Sequence, residues 1–174
     1  MPSLDRQPTL TDGVVRLRPL RAEDRAAMRA AASDPEIWAG HPDRERWGPT
    51  FDAYFDDNLA SGGALAVEDA RTSEMIGHTR LAELPAVADA VEVGWTFLVR
   101  AHWGGATNRR VKDLLRAHAG AAGRRVVLHI DGSNGRSRAA AERLGGELLG
   151  ADAPSGWRTA KPHYVSYALP LVGG

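Results

Sequence analysis

The chain contains no cysteine. A disulfide scaffold, a thiolate nucleophile and a cysteine-ligated metal are therefore all excluded. Neither sign of charge dominates: 22 basic residues meet 22 acidic ones, so no overall field draws the chain to nucleic acid or anionic lipid. The opening "MPSLDRQPTL" has no apolar segment of the kind that directs export, and no later run is long and apolar enough to span a bilayer. These features lead to the expectation of a cytoplasmic protein with no membrane and no nucleic-acid partner. Six histidines are present, but none falls at H-x-x-x-H or H-E-x-x-H spacing, so no metal is expected. No internal repeat and no linker divides the chain. Its 174 residues suit one domain with a real core, 1–174, with residues 1–10 expected as a flexible lead-in.

What is present is a change of pattern near the middle. "GVVRLRPL" (13–20) alternates apolar and basic residues and predicts an outer strand. A helix is expected over 21–35, with Pro35 beyond its end, then a loop over 41–50 and a short helix over 51–63 closed by glycine. Strands at 64–69, 75–84 and 91–99 follow, joined by short turns at 71–74 and 85–90, which predicts an antiparallel meander. From there the spacing becomes helical. Val111, Leu114, Leu115, His118, Ala119 and Ala122 share one face of a helix over 106–122. "RRVVLHID" (124–131) is the near-continuous apolar run of a strand covered on both faces. A capped helix over 134–146 and strands at 147–151 and 163–169 complete the chain. A strand, a helix and a strand of these lengths require a right-handed crossover between parallel strands. The fold expected is α/β, with a mixed, mostly antiparallel sheet.

The sharpest local feature is "RAHWGGATNRRVKDLL" (100–115), where paired glycines separate a strand from a helix. A helix N-terminus carries unpaired N–H groups and about half a positive charge. Backbone without Cβ atoms just before it lets an anion come close. Gly104, Gly105 and Ala106 thus form a candidate phosphate cradle, with Thr107 and Asn108 as side-chain donors. The alternative is a glycine turn chosen for geometry alone. The G-K-[ST] ending of a P-loop and the third glycine of a dinucleotide fingerprint are both missing.

"EVGWTFLVRAHWGGATNRRVKDLL" and "VLHIDGSNGRSRAAAERLGG" together resemble the GNAT superfamily of N-acetyltransferases, and within it the branch of the ribosomal-protein N-terminal acetyltransferases. The similarity runs from "GVVRLRPLRAEDRAAMRAAASDPEIW" to "YVSYAL". It implies the GNAT-type fold, with a splayed parallel pair and helices on both faces. It also implies acetyl-coenzyme A as co-substrate, its pyrophosphate on the loop after the fourth core strand. Gly104 and Ala106 match the last two fixed positions of the family pattern R/Q-x-x-G-x-G/A, whereas the first falls on Ala101, with Arg100 displaced by one. The pantetheine arm is implied to lie along Trp95, Thr96, Phe97, Leu98 and Val99, beside Trp103, between strand 91–99 and strand 125–130.

Transfer to an amine needs a base, a donor for the oxyanion and a partner for the departing thiolate. Asn134 reads as the N-cap of its helix, and Ser137 shares a face with Ala140, Ala141 and Leu144. The resemblance assigns Asn134 to the pantetheine arm and Ser137 to the sulfur. The alternative is local, with Asn134 capping the Ser137 N–H and the hydroxyl bonded to backbone. Tyr164 is the reserve acid. Glu92 is the leading candidate base, ahead of Glu83, His78 and His129. Arg136 and Arg138 are candidates for the coenzyme's phosphates, or a solvated helix face. Trp38, Trp47 and Trp103 are candidates for the acceptor cleft, of which segment 38–63 is expected to form one wall, and Asp52, Asp56 and Asp57 are candidates to attract a cationic amine. Lys112 is expected to pair with Asn108 on the helix surface. The acceptor implied is a primary amine, on a protein N-terminus or a small molecule. The alternatives are a non-catalytic acyl-coenzyme A-binding module and a phosphate- or nucleotide-binding regulator. A homodimer is common among such relatives.

Overall fold

The computed structural model describes residues 3–85 and 87–171. One turn expected from the sequence, 85–90, includes a residue outside that range, as do the ends of the 1–174 domain. An eight-stranded sheet runs through the molecule. Its strands are β1 (Leu10–Thr11), β2 (Val15–Pro19), β3 (Ala64–Asp69), β4 (Met75–Glu83), β5 (Ala90–Leu98), β6 (Arg125–Asp131), β7 (Glu147–Leu148) and β8 (Tyr164–Ala168), in the order β1-β2-β3-β4-β5-β6-β8-β7. Every neighbouring pair is antiparallel except β5 and β6.

The parallel step crosses over through α3 (Thr107–Ala121), which packs on β2, β5 and β6 with α4 (Gly135–Arg143) beside it. Val111, Leu115 and Ala119 of α3 close a core against Leu17, Leu81, Val91, Val93 and Val126. The opposite face is covered by α1 (Arg25–Ala32) and α2 (Phe51–Ala60), whose Met28, Phe51, Tyr54 and Phe55 pack with Ala64, Ala66 and Phe97. Alternation along each strand, one side chain to each face, is what feeds both cores.

Three expectations change in detail. The helix expected over 21–35 is a 3-10 turn (Ala22–Asp24), then α1, then a second 3-10 turn (Pro35–Ile37) opened by Asp34, whose carboxylate accepts from the Glu36 N–H. Strand 13–20 is second from the edge, since β1 pairs with it. Its alternating arginines do not face water freely: Arg16 and Arg18 both bind the buried Glu68, and Arg18 forks onto Asp24 at 2.7 and 2.8 Å. Within the stretch read as a flexible lead-in, Leu4 is buried in the core, Arg6 donates to the Ser61 carbonyl and His118 meets the Asp5 carbonyl at 2.7 Å.

Candidate active site

The sheet is interrupted where the family resemblance implies a splayed parallel pair. β5 pairs with β6 only over Ala90–Glu92 against Arg125–Val127. Beyond that point β6 continues with β8, while β5 keeps only β4. β5 is also bulged between its partners His78 and Arg80, and Trp95 sits there at φ +52°. A left-handed backbone at a bulky residue is strained and must be held by its surroundings. The holding groups are visible. The Trp95 carbonyl accepts from the Tyr54 hydroxyl at 3.1 Å and from His78 Nδ1 at 3.0 Å, and the Arg80 guanidinium lies 4.2 Å over the indole. The bulge brings the Phe97 carbonyl so near β4 that a Cβ at Gly77 would lie 2.3 Å from it, which makes glycine obligatory there.

A carbonyl only accepts, so His78 carries its proton on Nδ1. Its Nε2 is buried without a partner among the described residues, and burial pushes the imidazole down to about 4. His78 is therefore placed as a neutral support for the bulge.

At the end of β5 the chain makes a 3-10 turn and reaches the glycines. Gly104 has φ +71°, and a Cβ built on either Gly104 or Gly105 meets nothing within 4 Å. No side chain caps α3, so its first-turn N–H groups face an open approach. Arg100, displaced by one from the family position, is ion-paired with Asp34. Phe97 and Leu98 send their side chains into the two cores, so a ligand lying along this strand meets their backbone.

The facing wall is the start of α4. Asn134 is buried and its Oδ1 accepts from the Ser137 N–H at 3.1 Å. This is the cap that the sequence predicts. The Ser137 hydroxyl makes no hydrogen bond among the described residues, so the backbone-bonded alternative has no counterpart there. Arg136 reaches across, donating to the Ile37 carbonyl at 2.5 Å with its guanidinium 4.2 Å over Trp103. Arg138 is held by the Tyr167 hydroxyl and the Gly132 carbonyl.

On the α1–α2 face of the sheet lies an open groove of about 540 Å³, lined by Asp43, Glu45, Arg46, Tyr54, Asp57 and Trp95 among others. Glu92 lies on the same face where β5 and β6 part, and burial raises its carboxyl above the usual range despite Lys161 and Arg80. His129, across the gap, bonds Ser166 at 2.9 Å and is pushed down to about 4 by burial, then by Lys161. Glu83 is ion-paired with Arg124. Tyr164 is half-buried on β8 with Lys161 over its ring.

Several side chains differ from their expected places. Asp52 and Asp56 bind Arg25 and Arg29, tying α2 to α1, so of the three acids only Asp57 reaches the groove. Trp38 is buried, its indole N–H on the Ala32 carbonyl, and Trp47 is exposed. Lys112 does not pair with Asn108 on the surface; it is buried and donates to Thr96 Oγ1 at 2.7 Å. Tyr54 and Arg46 were not anticipated, although Phe51, Tyr54, Phe55 and Asn58 stand at helical spacing and all are buried. Among the described residues, no group of three or more metal-ligating side chains gathers and no helix is long and apolar enough to cross a membrane.

Residues 15–147 match the family model of the acetyltransferase (GNAT) domain. No curated protein matches the chain in sequence. Solved structures do resemble it. An acetyltransferase from Agrobacterium tumefaciens is 27% identical, with 94% of each chain covered and a TM-score of 0.68. A probable GNAT-family acetyltransferase from Chromobacterium violaceum is 21% identical, with 97% of this chain and 89% of that one covered and a TM-score of 0.75. RimJ of Mycobacterium smegmatis, solved in complex with CoA-disulfide, is 19% identical, with 93% and 85% covered and a TM-score of 0.64.

Proposed function

The chain belongs to the GNAT acetyltransferases, which move an acetyl group from acetyl-coenzyme A, and on that premise we propose that its acceptor is a primary amine, on a protein N-terminus or a small molecule, which meets the thioester in the gap between β5 and β6. The uncapped N-terminus of α3, opened by Gly104 and Gly105 and adjoining the strand edge that β6 has left, carries this reading. Phosphates are stabilised there by free N–H groups and by the positive end of the helix. The unpaired edge of β5 from Trp95 to Val99 offers backbone partners to the pantetheine amides, and Asn134 and Ser137 stand on the opposite wall.

In this reading each chain residue has a defined task. Glu92, made more basic by burial, accepts a proton from the incoming amine through water. The Ser137 hydroxyl, free of other bonds, donates to the departing sulfur. The groove delivers the amine; of its acids Asp43 binds Arg46 and Asp57 binds Arg80, which leaves Glu45 as the carboxylate without an ion pair among the described residues.

The test is release of free coenzyme thiol from acetyl-coenzyme A against a panel of amines and N-terminal peptides, with mass detection of products. Thiol release that depends on the amine and matches acetylated product supports the proposal. Amine-independent hydrolysis alone, or binding without release, overturns it.

A further inference from the structure

Lys112 carries an amine sealed in the protein, with no anion beside it among the described residues. The residue is 5% exposed, and its only hydrogen-bond partner among the described residues is Thr96 Oγ1. That oxygen is already engaged with Thr79 Oγ1 at 2.8 Å and the Gly94 carbonyl at 3.3 Å. An ammonium has three donors and no acceptor, so two N–H groups are left without a protein partner. Charge buried in that condition is costly, and a group so placed shifts toward its neutral form unless an anion joins it. The location is specific. Thr96 lies on β5 past its last pairing with β6, and Lys112 approaches it from the second turn of α3. The amine thus sits under the stretch of β5 that has lost its neighbour, on the opposite face from the groove.

We propose that Lys112 is a catalytic residue that meets the thioester end of the coenzyme from beneath the sheet, supplying the positive charge and hydrogen bond that the protein alone leaves unused. This rests on the reading that the pantetheine arm lies along β5. In the transfer, the acceptor nitrogen's lone pair forms the C–N bond and the carbonyl π pair moves to oxygen. That pair returns as the C–S bond breaks and sulfur leaves with its electrons. The negative charge passes from oxygen to sulfur within reach of the ammonium, which keeps its own proton. The proton shed by the nitrogen passes through water to Glu92. Ser137 and Lys112 thus address the departing sulfur from two sides.

Burial alone lowers the Lys112 amine to about 7. The strand side chains on that face, Leu17, Thr79, Leu81, Val93, Leu98 and Val126, carry no charge. On its own helix, Asp113 is paired with Arg116 and Arg109 is turned to the Arg143 carbonyl. The charged form is full at acid pH and is lost as pH rises through the amine's pKa.

The experiment compares kcat of wild type, Lys112→Met, Lys112→Gln and Lys112→Arg across pH with one amine, so that the variant-to-wild-type ratio cancels the acceptor's own ionisation. Removal of one donor to developing negative charge costs roughly 100- to 1000-fold in kcat. Lys112→Met is expected to show that deficit at acid pH and to converge on wild type at alkaline pH, with acetyl-coenzyme A affinity little changed. Lys112→Gln keeps a hydrogen bond to Thr96 but no charge, and should behave as Lys112→Met does, so either one suffices if the other fails to fold. Lys112→Arg should keep its rate at alkaline pH. A folded Lys112→Met or Lys112→Gln with wild-type kcat, or with a deficit equal at every pH, overturns the proposal. Wild type that binds acetyl-coenzyme A and releases thiol while these variants match it sinks the Lys112 role alone. Wild type that neither binds nor releases overturns the coenzyme reading, and this proposal with it.

Discussion

Gly105→Val isolates the cradle from the fold. In the free protein a Cβ at Gly105 meets nothing within 4 Å, and its φ lies outside the left-handed region, so a side chain there starts in open space and needs no left-handed backbone. In the complex the branched side chain occupies the space through which phosphate must approach the N-terminus of α3. Loss of one charge-assisted hydrogen bond is worth about 1.5–3 kcal/mol, which is roughly 10- to 150-fold in Kd at about 1.4 kcal/mol per decade. Gly104→Val makes the contrast. Its φ of +71° belongs to the left-handed region, where a side chain costs about 1–2 kcal/mol. A chain of this size then loses roughly 2–4 °C in Tm per kcal/mol. Both variants should bind coenzyme A weakly by calorimetric titration, but only Gly104→Val should melt earlier. A stable Gly105→Val protein with wild-type affinity would remove the loop from the binding site.

Ser137→Ala should lower kcat more than it weakens acetyl-coenzyme A binding, by up to about 100- to 1000-fold where the donor is well ordered. Its Tm should hold, because Asn134 still caps α4. Normal turnover in that variant would move the search for the acid to Tyr164. Glu92→Gln should separate activity from stability. A carboxyl whose folded pKa is raised by burial destabilises the fold once pH passes its unfolded value of about 4.3. Glu92→Gln should therefore melt higher than wild type at pH about 7, melt equally below pH about 4, and turn over slowly. Full activity in that variant would dismiss Glu92 as the base.

The meander, the crossover and the glycine turn were legible because each depends on short-range signals: alternation, helical spacing and backbone freedom. The parallel step from β5 through α3 to β6 follows from lengths alone. The bulge at Trp95 was not legible, since its left-handed backbone is imposed by Tyr54 and His78 from distant segments. Lys112 was misplaced for a different reason. It stands three residues before Leu115 and seven before Ala119, squarely on the buried face, but a lysine is so rarely buried that composition outweighed spacing. Along the sequence the acids of α2 form one cluster. The helix in fact divides them, sending Asp52 and Asp56 to α1 and Asp57 to Arg80.

The most direct test of the central claim is a structure of this chain with acetyl-coenzyme A bound. The phosphates are expected within hydrogen-bond distance of the N–H groups at the start of α3, the pantetheine arm along Trp95–Val99 where β6 has turned away, and the sulfur between Ser137 and the Thr96–Lys112 pair. A coenzyme bound elsewhere, or one whose sulfur lies far from both Ser137 and Lys112, would contradict that claim.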